Sequence, residues 1–202
     1  MKATVINLKD RPERMDDFRL NNFPFEVERF NAIKTTPGWF GCSASHLAAI
    51  RKQTELPFVI FEDDCVLLQS WSVVEQAMSQ LPKNWDMLWL GATNVREVQR
   101  YSANLFRMKG AYCAHAIIFN TWEVVNYIQH NYNKFMQSCE GTDHRPVIDV
   151  FYVVEVQERF NCFITDPICA TQSVTYSDIE LKVNDYEPYV SNVQRIFNSH
   201  PR

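Results

Sequence analysis

The chain has 202 residues, 46% of them hydrophobic and 13% aromatic, with a formal net charge of −4. That is enough apolar material for one packed domain over residues 1–202, and it excludes a disordered or low-complexity chain. The mild acidity and the lack of a basic stripe argue against a nucleic-acid partner.

The N-terminal apolar run is too short for a signal peptide and meets charges at once. No segment approaches the ~20 apolar residues of a membrane span. The expected location is cytoplasmic, with peripheral membrane contact left open, as is the chain being a domain cut from a larger protein. Six cysteines, Cys42, Cys65, Cys113, Cys139, Cys162 and Cys169, are scattered without a C-x-x-C pair. This argues against a tetrahedral zinc site and for free thiols.

In chain order, Ala3–Leu8 reads as a short apolar strand. Asp10 is placed to cap a helix that starts around Pro12. A loop carrying Pro37, Gly38 and Gly41 follows, and Ser43 or Ser45 is expected to open a helix through about Thr54. Phe58–Phe61 is a continuous apolar strand of the kind buried on both faces of a parallel sheet. Trp71–Leu81 has helical spacing in Val74, Met78 and Leu81.

Met87–Leu90 is a second buried strand, stopped by Gly91. Residues Val95–Arg107 read as polar and irregular. Ala111–Phe119 is expected to be a strand. Beyond it lies a Thr121-capped helix with Val124, Val125, Ile128 and Tyr132 on its apolar stripe. Val147–Val156 is an apolar run that holds Asp149, and Asn161–Ile164 is a last strand. From Thr171 the tail is polar with mixed signals. Alternating strands and helices predict an α/β fold with a mostly parallel central sheet flanked by helices, and ligands bind such sheets outside the carboxyl ends of the strands.

The most informative stretch is Phe61-Glu62-Asp63-Asp64, where an apolar strand runs into three carboxylates. Adjacent carboxylates repel and resist desolvation, so either open water or a cation must offset them. Hard ions such as Mn²⁺ or Mg²⁺ take one or two protein carboxylates and fill their remaining positions with phosphate and water. A solvated acidic turn is the bland alternative.

Four stretches together resemble glycosyltransferase family 25, the group of bacterial lipooligosaccharide galactosyltransferases and collagen galactosyltransferase domains. They are Val5–Met15 (VINLKDRPERM), Gly38–Lys52 (GWFGCSASHLAAIRK), Phe58–Leu67 (FVIFEDDCVL), and the pair VIDVFYV, similar to an Asp-containing strand, and YSDIE, similar to a C-terminal Ser-Asp-Ile. The third is similar to a Glu-Asp-Asp variant of the DxD signature. The resemblance implies a GT-A type fold and a metal-dependent, inverting transfer of a hexose. Galactose from a UDP-sugar is the implied donor group, with Mn²⁺ or Mg²⁺ on its diphosphate. The acceptor is a glycan, a lipid-linked saccharide or a protein hydroxyl such as hydroxylysine.

On that reading Glu62 and Asp64 hold the metal. Asn7, Arg11, Arg14, Ser45, His46, Glu62 and Asp63 meet the nucleotide sugar, Arg14 as a bidentate phosphate donor and Ser45 and His46 at an anion-favouring helix N-terminus. Inversion needs a base, for which Asp149 is the first candidate and Asp178 the second. For Asp149, capping a helix or pairing with Arg145 is the alternative. His144 or His115 is a further candidate for the metal shell. Trp39, Phe40 and Tyr112 are candidates for a sugar platform, and Trp89 for the core. The chain departs from the family pattern at His115–Phe119, where small residues and serine are expected. Two alternatives stay open: a sibling using UDP-glucose or UDP-N-acetylglucosamine, and a catalytically inactive binding or scaffolding domain. A metal-dependent phosphohydrolase would need a second acidic cluster, and the sequence offers no convincing one.

Overall fold

The computed structural model describes residues 1–142, 145–177, 179 and 181–200. Among these, β1 (Lys2–Asn7), β2 (Glu28–Asn31), β3 (Phe58–Glu62), β5 (Met87–Trp89), β6 (Glu97–Ser102), β7 (Leu105–Lys109), β8 (Ala116–Phe119) and β9 (Cys162–Thr165) form an eight-stranded sheet ordered β2-β1-β3-β8-β5-β9-β7-β6. Strand β4 (Cys65–Leu67) lies outside it. β1, β2, β3, β5, β9 and β6 point one way, and β8 and β7 the other. The sheet is mixed but mostly parallel in direction.

Side-chain alternation divides the core in two. Phe58 and Ile60 of β3, Trp89 of β5 and Phe119 of β8 enter one apolar cluster. Their chain neighbours Val59, Phe61, Leu88 and Ile118 enter the other, as the period of two along a strand requires. Helices cover both clusters. α1 (Pro12–Arg19) and α3 (Trp71–Met78) pack on the second through Met15, Phe18, Trp71 and Val74. α2 (Gly38–Arg51), α4 (Trp122–Ser138), α5 (Ile148–Phe151) and α6 (Glu187–Asn198) pack on the first. The α/β expectation, with helices flanking a mostly parallel sheet, is met.

Thr121 caps α4, its hydroxyl accepting the Val124 N–H, and Val124, Val125, Ile128 and Tyr132 are its buried face, as the sequence predicts. Other expectations are corrected. α1 is preceded by Arg11 without a side-chain cap, so Asp10 does not cap it. Residues 95–107 are not irregular, since β6 and β7 pair there as a hairpin. β6 is an edge strand with no fully buried residue, so its one-sided alternation lacked an apolar mark. The strand expected at Ala111 begins at Ala116, and residues 110–115 form a loop.

Residues 148–156 are helical rather than extended, with α5 running into a π-helical turn at Tyr152–Val156. The tail is folded as well. β10 (Ala170–Gln172) pairs with β4, β11 (Thr175–Ser177) pairs with β12 (Lys182–Asn184), and α6 stacks Phe197 on Phe106 at 4.4 Å between ring centroids. Its stripe of Val190, Val193 and Phe197 has helical spacing that the polar composition masked.

Candidate active site

The carboxyl ends of β1, β3 and β5 lie along one edge of the sheet. β8 runs antiparallel, so the loop that precedes it opens onto the same edge. The Glu62 N–H donates to the His115 carbonyl there at 2.9 Å. A cleft of about 1280 Å³ lies at this edge. Its lining includes Arg14, Trp39, Cys42, Ser45, His46, Glu62, Asp63, Asp64, Tyr112, Asp149 and Gln172.

Four backbone features build this corner. Gly41 has no room for a side chain, because a Cβ there would meet the Ile33 carbonyl oxygen at 2.4 Å. Ser45 reinforces the same contact, accepting the Ile33 N–H at 2.7 Å and donating to the Gly41 carbonyl at 2.6 Å. α2 is thereby fixed in register, with His46 turned toward β3. On the other side, the β4–β10 ladder places Gln172 opposite Cys65, beside the acidic turn. Gly91 permits this approach, since a Cβ on it would lie 1.9 Å from the Ala170 carbonyl oxygen.

The three acids of the turn face different surroundings. Asp63 is buried and saturated. Asn7 donates to one oxygen at 2.6 Å and the Arg14 guanidinium to the other at 2.9 Å. Burial raises its pKa, against those two partners. Glu62 accepts from His46 Nε2 at 2.9 Å, and the Cys42 thiol stands 3.9 Å from the same oxygen, Oε1. Burial alone would raise Glu62, but the hydrogen bond and charge of His46, together with the charges of His115 and Arg14, outweigh it and bring it below its ordinary value.

Asp64 is half-buried, and the Gln172 amide reaches its oxygens only at 3.3 and 3.5 Å. The same amide reaches Glu62 Oε2 at 3.4 Å. Desolvation, with the charges of Glu62 and Asp63 behind it, pushes the Asp64 carboxyl up to about 8. One weakly held amide N–H₂ thus stands between two oxygen ligand groups that repel each other. That donor set fits a hard divalent cation, which prefers carboxylate oxygens and neutralises the repulsion.

The other expected residues fall into three groups. Arg14 reaches the cleft, but its guanidinium also holds Thr175 Oγ1 at 2.9 Å and the Tyr176 carbonyl at 2.7 Å, tying α1 to β11. Asn7 lies behind the turn with its amide in use, donating to Asp63 and the Arg11 carbonyl and accepting from Arg29. Arg11 is not in the cleft lining and sends Nη1 toward the Tyr176 carbonyl at 3.4 Å. Ser45 and His46 are not at a helix N-terminus. α2 begins at Gly38, so both sit in mid-helix, and an anion there would not meet the free N–H groups of a first turn.

Asp149 lines the cleft from the first turn of α5. It accepts from the Val150 N–H at 2.8 Å, and among the described residues no ion pair with Arg145 or any other cation reaches it. Burial is the main cause that raises its carboxyl above the ordinary value, and the charge of Glu62 adds to it. Asp178 and His144 lie outside the described residues. Trp39 and Tyr112 line the cleft, Phe40 is exposed beside Trp39 at 5.9 Å, and Trp89 is core. His115 is buried beside the turn, where burial lowers its pKa below the ordinary value.

Sequence reasoning missed Gln172, which carries no pattern and reaches the acids only through the β4–β10 pairing. It also missed Cys42, although Cys42 and His46 are spaced i, i+4 on one helix face. Cys113 was missed too. It holds a left-handed backbone at φ 90°, rare for a residue with a side chain, while its thiol lies 3.3 Å from Gln172 Oε1.

No known family matches the sequence, and no curated protein matches it. Among solved structures, the glycosyltransferase GlyE of Streptococcus pneumoniae TIGR4 is similar at a TM-score of 0.47 and 8% identity, over 78% of this chain and 44% of that one. Its apo form is similar at 0.49 and 7%, over 80% and 45%. A197 from STIV is similar at 0.48 and 11%, over 92% and 95%. The chain thus spans under half the length of the pneumococcal structures. Among the described residues no helix is long and apolar enough to cross a membrane.

Proposed function

We propose that the cleft binds a nucleoside-diphosphate sugar with a divalent cation, Mn²⁺ or Mg²⁺, and transfers a hexose to an acceptor hydroxyl with inversion, as a GT-A type glycosyltransferase. The observation that carries this reading is the pair Glu62 and Asp64, two carboxylates at a strand end in a large cleft, with one weakly held amide between Glu62 Oε2 and Asp64. The four stretches that resemble glycosyltransferase family 25 support it and favour UDP-galactose as donor.

Glu62 and Asp64 would hold the ion, which supplies positive charge to a diphosphate leaving group. Arg14 offers a second cation at the same end of the cleft. Asp63 positions Arg14 through their 2.9 Å ion pair. Asp149 takes the proton of the acceptor hydroxyl as that oxygen bonds to the anomeric carbon and the nucleoside diphosphate departs. Burial without a cationic partner makes its carboxylate a stronger base than a solvated one. Trp39 and Tyr112 offer ring faces to a sugar. The rim beyond them carries exposed Leu181 and Tyr189, which favours an acceptor with an apolar part beside its hydroxyl, such as a lipid-linked saccharide.

The test is donor turnover. The protein is incubated with Mn²⁺, each of UDP-galactose, UDP-glucose and UDP-N-acetylglucosamine, and a panel of saccharide acceptors, and UDP release is followed. Acceptor-dependent release from one donor, greatest with UDP-galactose and lost on chelation, is the expected result. No release and no binding of any UDP-sugar with Mn²⁺ present would overturn the assignment.

A further inference from the structure

The two oxygens of Glu62 face different neighbours. Oε2 faces Gln172 and the Asp64 side, where the hard-cation reading applies. Oε1 meets other groups, His46 Nε2 at 2.9 Å and Cys42 Sγ at 3.9 Å. The ligand atoms of Cys42, His46 and Glu62 all lie within 4.8 Å of one another. Donor atoms on one tetrahedral zinc, at bond lengths of 2.0–2.3 Å, stand roughly 3.3–3.6 Å apart. The observed separations therefore bracket that spacing, and small side-chain adjustments would reach it.

We propose that Cys42, His46 and Glu62 form a second cation site, one that takes a thiophilic divalent ion of the zinc type, with Glu62 as a carboxylate shared between the two positions.

The chemistry of the donors separates the sites. Thiolate and imidazole suit zinc-like ions, whereas Mn²⁺ and Mg²⁺ favour an all-oxygen set. Three protein ligands leave one position open, as zinc sites that exchange water or substrate do. Cys42 and Glu62 are half-buried and line the cleft, so that position faces the same space as the proposed donor. The backbone is prepared for the arrangement, because Gly41 and Ser45 hold α2 against Ile33 and fix the face that presents Cys42 and His46. The absence of C-x-x-C pairs does not bear on it. The ligands come from one i, i+4 helix face and a strand end, not from a knuckle. The inference does not depend on which sugar is transferred, nor on Asp64.

The experiment titrates reduced, chelator-treated full chain with Co²⁺ and follows the thiolate-to-cobalt charge-transfer absorption. The expected result is an equimolar band, abolished by Zn²⁺ and unmoved by excess Mn²⁺. It should vanish in Cys42→Ser, a near-isosteric change whose folding is checked by thermal unfolding, and persist in Cys113→Ser. It should also persist in Asp64→Asn, the variant in which Mn²⁺-dependent nucleotide binding is expected to fail, so the two readings fail separately. No band in the wild type, an unchanged band in Cys42→Ser, or loss of the band in Asp64→Asn would each overturn the second site.

Discussion

Asp166 and the Glu62–Asp64 turn occupy comparable places, each following the carboxyl end of a strand on the same side of the sheet, β9 in one case and β3 in the other. Their company differs. Asp166 is one acid with two strong donors, Arg100 at 3.0 Å and Gln194 at 2.9 Å, and its own carbonyl accepts from Asn104. Arg100 in turn lies over the Phe106 ring at 4.2 Å. That arrangement is closed and locks α6 to the sheet. The turn has three acids, and only Asp63 is saturated in the same way. Glu62 meets His46 at 2.9 Å on one oxygen, while its other oxygen and Asp64 share a distant amide. A protein that withdraws charge from water without completing its partners spends stability, and such places are where function is sought.

The largest expected effect falls on Asp149. Asp149→Asn should lower kcat by roughly 100- to 10,000-fold while leaving donor KM nearly unchanged, as loss of a general base does. In the wild type, kcat should fall as pH drops through the raised pKa of Asp149, because only the ionised carboxylate accepts the proton. A pH–rate profile indistinguishable from that of an ordinary solvated carboxylate would remove Asp149 from this role.

Next comes the closed site. Arg100→Ala leaves Asp166 buried with one neutral donor, and should cost about 3–5 kcal/mol in denaturant unfolding. Nucleotide binding should be untouched. Asp63→Asn breaks charge-assisted bonds to Arg14 and Asn7 and should cost about 1.5–3 kcal/mol. If Asp63 behaved like Asp64, gaining or holding stability on neutralisation, the contrast within the turn would be wrong.

The last effect is read as a slope rather than a step. Without a bound ion, Asp64 has a folded pKa of about 8 against an ordinary 3.8, so the folded chain retains a proton that the unfolded chain has lost between those values. Stability should therefore fall as pH rises from 3.8 to about 8. Melting temperatures across that window should fall less steeply in Asp64→Asn, and Mn²⁺ should oppose the fall in the wild type. Equal slopes in both proteins would show that Asp64 carries no such strain.

The strands β1, β3 and β5, and the α4 cap with its stripe, were legible because each couples a continuous apolar run or a helical period to a clear stop. The β6–β7 hairpin was not, because the half-buried face of edge strand β6 consists of Val98, Arg100 and Ser102 and lacks an apolar signature. The helical state of residues 148–156 was missed because only Asp149 and Glu155 interrupt the apolar run, too few polar positions to mark a period. In the site, the acidic turn itself was visible. The unequal roles of its members were not. Asp63 is set apart by Asn7 and Arg14, 56 and 49 residues away, and Asp64 meets Gln172 at a separation of 108. Helix α2 misled in a simple way. Its start at Gly38 lies ahead of the serines that looked like caps, since Pro37 in extended conformation supplies the entry without a side-chain bond.

The central claim is that Glu62 and Asp64 hold a cation on a nucleotide diphosphate. Calorimetric titration of UDP into wild type and Asp64→Asn, each with and without Mn²⁺, tests it most directly. The account predicts binding only in the wild type with Mn²⁺ present. Equal, metal-independent binding in both proteins would contradict it.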